Sequence, residues 1–196
     1  MRLTRQVARL AGLGLLLAQV ACSSPDPNLY TIASISAATQ TGAPKVIALR
    51  QIGLARYLER SQIVRSSENY RLDVMSNDLW GEPLGSMLAR VLVDELSQRL
   101  PQSTVYAETG AVTVSPDATI ELNVSRLDLN AAGLLILQAQ AAVTSKGRGN
   151  PITRSFRFEV PSTEVSIAGE VAATSNAVGQ LADGLTMMLA TGRTAR

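Results

Sequence analysis

The chain has no histidine, and Cys22 is its only cysteine. Residue supply alone therefore excludes structural zinc, cysteine–histidine or serine–histidine catalysis and histidine proton shuttles. No disulfide can close within one chain. Aromatic residues are also scarce, at 4%, so aliphatic side chains and alanine must do the packing. Charged residues make up 17% of the sequence and hydrophobic ones 46%, which is enough apolar material for a sizeable core. A length of 196 residues suits a single domain.

A strongly basic patch is missing too, although the sequence pI of about 9.0 suggests one. Arg2, Arg5 and Arg9 lie within the first 21 residues, where there is no acid. Taking those three from 18 basic residues leaves 15 against 16 acidic ones, a formal charge of −1. The only lysines are Lys45 and Lys146. A phosphate-binding face needs clustered Lys or Arg, so no nucleic-acid partner is expected.

The first 21 residues read as an export signal. Three arginines precede the short apolar run Leu10–Ala18, which falls well below the ~20 residues of a membrane-spanning helix. Small residues then lead to Cys22, Ser23, Ser24, Pro25, Asp26 and Pro27. This stretch resembles a bacterial lipobox, with Val20 and Ala21 fitting the pattern and Gln19 standing where that class usually carries an apolar residue. The resemblance implies cleavage before Cys22, acylation of its thiol and new amine, and attachment to a membrane. Ser23 in place of Asp directly after the cysteine implies the outer membrane. Residues 22–28 are then a lipid-anchored spacer, 29–190 the folded domain and 191–196 a frayed end.

Within the domain, Leu29–Ile32, Val46–Leu49, Gln62–Arg65 and Thr104–Ala107 read as short strands. Tyr70, Leu72 and Val74 alternate with Arg71 and Asp73, a half-buried strand pattern. Leu84, Leu88, Val91, Leu92, Leu96 and Leu100 share one face of a helix that Pro83 opens and Pro101 stops. Ile120, Leu122 and Val124 alternate cleanly, then the phase shifts to Leu127 and Leu129, predicting a bulge near Ser125–Arg126. Ala131-Ala132-Gly133 turns the chain into a strand carrying Leu135, Leu137, Ala139, Ala141 and Val143. Phe156, Phe158 and Val160 mark a third strand of the same meander. A helix from about Gly169 to Ala190 ends the domain, with Val171, Val178, Leu181, Leu185 and Leu189 as its apolar stripe.

Paired carboxylates could serve acid–base chemistry, but each pair has a simpler reading. Glu82 suits a helix N-terminus, and Asp94-Glu95 lie on or beside a solvated helix face. No catalytic residue, metal ligand or cofactor site is assigned, and the protein reads as a non-enzyme. Arg56–Arg60 reads as ordinary surface charge, and Trp80 as a buried side chain fixing the start of the first helix.

Two segments together, Tyr57-Leu58-Glu59-Arg60-Ser61-Gln62-Ile63-Val64-Arg65 and Trp80-Gly81-Glu82-Pro83-Leu84, are similar to signatures of the PqiC-like ABC-type transport auxiliary lipoproteins. The likeness runs from Leu29 to about Ala190. It departs at Gln51-Ile52-Gly53, where many members carry a proline-containing strand end. The family implies an α/β single domain, a mixed β-sheet with helices packed on its faces, similar to the TolB amino-terminal domain. It also implies a non-catalytic role in an MCE-type lipid transport system, docking a periplasm-spanning MCE protein at the outer membrane. Tyr57, Arg60, Trp80, Glu82 and Pro83 are then architectural motif residues. A periplasmic lipid carrier or a structural envelope lipoprotein are the competing readings, and a carrier would need an apolar pocket of ~300–1,000 Å³.

The turn Ala131–Leu135 is unusually apolar, with no charge from Leu129 to Thr144. Leu134 and Leu135 are therefore expected to be covered by a second subunit of a homo-oligomer, by the MCE partner or by the last helix.

Overall fold

The long alternating segments pair first with their neighbours in sequence. A computed structural model describes residues 26–67, 70–111, 114–147 and 149–191; Cys22 and the end 192–196 lie outside them. Strands β7 (Ala118–Leu129), β8 (Leu134–Ser145) and β9 (Ile152–Pro161) form the expected antiparallel meander. The β7–β8 register shifts between Val124 and Arg126, where the apolar phase changes in the sequence. The 130–134 turn is closed by Asn130, whose side chain accepts the N–H groups of Ala132 and Leu134, and by Gly133 at φ 74°.

The other edge of β7 is built from short parallel pieces. β2 (Val46–Leu49) lies between β6 (Thr104–Ala107) and the start of β7, parallel to both. β3 (Gly53–Leu54) continues along the same edge opposite Asn123 and Val124. A Cβ on Gly53 would stand 2.8 Å from Asn123 Oδ1, so the Gln51-Ile52-Gly53 departure from the family pattern lets the backbone come this close. A separate three-stranded sheet holds β1 (Asn28–Tyr30), β5 (Leu72–Trp80) and β4 (Gln62–Ser66), in that order.

Helix α1 (Leu84–Arg99) buries the whole predicted leucine stripe and also Met87. The Pro83 carbonyl accepts the N–H groups of Ser86 and Met87, so the proline caps the helix just outside its first turn. Helix α2 (Ile167–Thr191) packs against α1 and the meander, burying Val171, Val178, Leu181, Leu185 and Leu189 as expected. Gly184 sits where a Cβ would overlap the Phe156 ring of β9. Gly184, which weakens this helix intrinsically, is therefore what lets it approach the sheet, while Gly179 lets Ile35 of the 31–44 segment and Arg99 of α1 come close.

Three expectations need correction. Tyr70 precedes β5 with φ 61°, and Tyr70, Leu72 and Val74 are all exposed, whereas Asp73 and Met75 are half-buried. The apolar phase of that strand points outward because the small sheet's inner contacts come from its other face. Glu95 is fully buried and not solvated. Leu135 is only 1% exposed and belongs to the core, so of the apolar tip only Leu134 is partly exposed. The first strand is also shorter than expected, because Ile32 leaves the sheet and enters the core.

Residues 31–44 form a strap over the helices. The Ala33 N–H donates to Ser175 Oγ at 3.1 Å, the Ile35 N–H to Glu95 Oε1 at 2.9 Å and the Gln40 N–H to the Arg99 carbonyl at 2.7 Å.

Candidate functional site

The two motif segments meet in space. Tyr57 lies in a 3-10 turn, Arg56–Leu58, that leads into β4, while Trp80 ends β5 beside it. Gln62 is opposite Leu79, and the Trp80 N–H donates to the Ser61 carbonyl at 2.8 Å. Trp80 is buried at the junction of β5 and α1, as the sequence suggested. Glu82 is not bonded to the helix terminus; it holds Arg90 through Nε at 3.0 Å and Nη2 at 2.6 Å. Arg60 is exposed, as is Pro83.

Tyr57 leads to a polar cluster that the sequence reading missed. Its hydroxyl donates to Asp128 Oδ2 at 2.7 Å and accepts the Leu127 N–H at 3.3 Å. Asp128 is 2% exposed and also accepts Ser66 Oγ at 2.6 Å and Arg126 Nη2 at 2.9 Å. Arg126 Nη2 also donates to Ser66 Oγ at 2.9 Å. Burial, reinforced by the Asp128 carboxylate, raises the Tyr57 hydroxyl well above its ordinary pKa, so it stays a donor. Next to this cluster, Arg65 Nε reaches Glu170 Oε2 at 2.6 Å. Burial raises the Glu170 pKa, and Arg65 opposes that rise.

This network joins β4, β7 and α2, the pieces that local pairing leaves apart. A buried acid whose lone pairs are filled by three donors orients neighbouring strands. It offers no free nucleophile and no open position for a reacting atom. The signal available in the sequence was Arg126 and Asp128 two residues apart in an otherwise apolar strand end, on one face by strand period.

Beside the network lies an open cleft of about 860 Å³, bordered by Tyr57, Tyr70, Leu72, Arg126, Ala131 and Ala132. A second cleft, of about 720 Å³, lies on the face of the meander away from the helices, between Arg50, Asn123, Gln140 and Arg154. Both are open to solvent and have charged and amide side chains on their borders, and Tyr70, Leu72, Ala131 and Ala132 make the first partly apolar. Among the described residues, no helix is long and apolar enough to cross a membrane.

Comparison with known proteins identifies the fold. The family model of the ABC-type transport auxiliary lipoprotein component matches residues 30–185, and the chain belongs to that family. The intermembrane transport lipoprotein PqiC of Escherichia coli K12 is 25% identical over 148 residues, covering 73% of this chain and 76% of the relative. PqiC of Shigella flexneri matches to the same extent. A crystal structure of a Xanthomonas campestris protein superposes with a TM-score of 0.70 at 19% identity, covering 84% of this chain and 96% of that one. Another crystal structure gives 0.71 at 18% identity, covering 83% and 97%.

Proposed function

We propose that this transport auxiliary lipoprotein is a non-catalytic, outer-membrane-anchored component of an MCE-type lipid transport system, which docks the periplasm-spanning MCE protein. The observation that carries this reading is the family match over residues 30–185. The leader ending at Cys22 supplies the anchor, and Ser23 supports the outer membrane as its destination. The interior supports a docking role: buried acids are tied to arginines and hydroxyls, and both clefts are open grooves with charged side chains on their borders. Such a domain offers a rigid surface, and the two clefts among its described residues are grooves open to solvent, not enclosed cavities. Lipidation on Cys22 gives firm attachment, since each buried CH₂ contributes ~0.8 kcal/mol and one acyl chain alone binds only marginally.

The test is fractionation of the native protein and of Cys22→Ser, with an MCE-domain protein of the same organism tagged for co-purification. The native protein is expected with the outer membrane and bound to the MCE partner. Cys22→Ser is expected to lose the membrane. Unchanged outer-membrane fractionation and normal processing of Cys22→Ser would overturn the anchor, and failure of the native protein to retain the MCE partner would overturn the docking role.

A further inference from the structure

β1 pairs with β5 in parallel, with Asn28 opposite Asp78 and Tyr30 opposite Trp80. The chain therefore arrives at β1 from the Leu72 side of β5 and leaves toward Trp80. Asp78 lies six residues along β5 from Leu72, ~20 Å at strand spacing. Cys22 stands six residues before Asn28, which gives it a reach of up to ~21 Å. The Leu72 end is thus within reach of the anchoring cysteine at full extension of the segment between them.

The same end gathers exposed apolar groups from three separate connections. Tyr70 is 107% exposed and sits in a positive-φ conformation that a tyrosine adopts at a cost. Leu72 follows it, and both border one cleft with Ala131 and Ala132 of the β7–β8 turn. The β9–α2 connection is tied to that turn, because the Ser162 N–H donates to the Gly133 carbonyl at 2.9 Å. Val165 of that connection is 104% exposed. The opposite end of β5 carries Glu59, Arg60, Glu82 and Arg90 around Trp80, with Leu29 as its one large exposed apolar side chain among the described residues.

We infer that Tyr70, Leu72 and Val165, at the end of the domain toward which β1 leads back, rest in the headgroup layer of the bilayer that holds the acylated Cys22. A tyrosine places an apolar ring and a hydroxyl at such a boundary. Three shallow contacts add little to an acyl anchor; their effect is to fix orientation. The end carrying the β8–β9 connection then points away from the membrane and toward a periplasmic partner. The inference rests on the lipoprotein reading.

The experiment uses full-length lipidated protein in vesicles of phosphatidylethanolamine and phosphatidylglycerol, after mass spectrometry has verified acylation of Cys22. Tyr70→Cys, Val165→Cys and Thr153→Cys each receive a nitroxide label, and collision with oxygen is compared with collision with a water-soluble nickel chelate. The oxygen-to-nickel ratio is expected to be several-fold higher at positions 70 and 165 than at position 153, which lies at the other end of β9. Equal, water-like ratios at all three positions in acylated protein overturn the inference and leave the lipoprotein reading standing. Protection from both probes, with dipolar broadening between labels, would mean that a second copy covers this end, and also overturns it. Absence of acylation overturns the lipoprotein reading itself.

Discussion

Helix α1 leaves Ser86, Arg90, Asp94 and Gln98 in solvent and turns its leucines inward, so its sequence announces which side is buried. Helix α2 leaves Ala172, Asn176, Gln180, Asp183 and Met187 outside and buries Thr174, Ser175, Gly179, Ala182 and Thr186 along with its apolar stripe. The exposed strip of α2 is one residue wide because the meander covers one side while α1 and the strap cover the other. Small and hydroxyl side chains make this possible: Thr174, Ser175 and Thr186 return their hydroxyls to carbonyls one turn back. Large residues bury α1 by filling space, and small ones bury α2 by allowing approach. Composition reports the first device directly and disguises the second.

The largest expected effect tests the link between the two helices. Arg99 of α1 is buried, with Nε on Asp183 at 2.7 Å, Nη2 on the Gly179 carbonyl at 3.1 Å and Nη1 3.4 Å from Glu95 Oε2. Arg99→Ala leaves Glu95 buried without its cation and is expected to cost ~3–5 kcal/mol in urea unfolding. A loss no larger than a surface change would show that none of these contacts holds the two helices together and that buried Glu95 does not need the cation.

Next come the packing devices themselves. Leu92→Ala, in the middle of the α1 stripe, is expected to cost ~2–5 kcal/mol by the same measurement. Gly184→Ala should destabilise by ~1–3 kcal/mol although alanine is the better helix former, because its Cβ meets the Phe156 ring. A stabilised Gly184→Ala would mean that the ring yields and that close approach is not what the glycine provides.

The smallest effect is a pH slope. Burial raises the pKa of Glu95, so the folded protein favours the protonated carboxyl more than the unfolded chain does. Folding then takes up protons, and this group's contribution to stability grows as pH falls from above its folded pKa toward the ordinary carboxyl value of ~4.3. Glu95→Gln keeps an acceptor for the Ile35 N–H and is expected to flatten that part of the slope, read from denaturation midpoints across pH. An unchanged slope would assign the uptake to Glu170, whose pKa is also raised by burial.

The same contrast explains which parts of the fold were legible. The meander, its bulge at Ser125–Arg126 and the α1 stripe depend on pairing and periodicity over a few dozen residues, and alternation records them. The Tyr57–Asp128–Arg126 cluster was not read, because Tyr57 and Ser66 lie 71 and 62 residues from Asp128 and the Arg126–Asp128 spacing alone does not name them as partners. The outward phase of Leu72 and Val74 was misread for a related reason: alternation gives the two faces of a strand but not which one the rest of the molecule covers.

The sequence by itself determined the order and type of the main elements and the face that α1 buries, since each depends on side-chain chemistry at short spacing. Only the tertiary structure decided that β2 runs parallel between β6 and β7, that Glu95 and Arg99 are buried together, and that β1 enters from the end of the domain that carries Tyr70. Those features depend on segments far apart in the chain, whose meeting is set by the competition among all the apolar faces for one core.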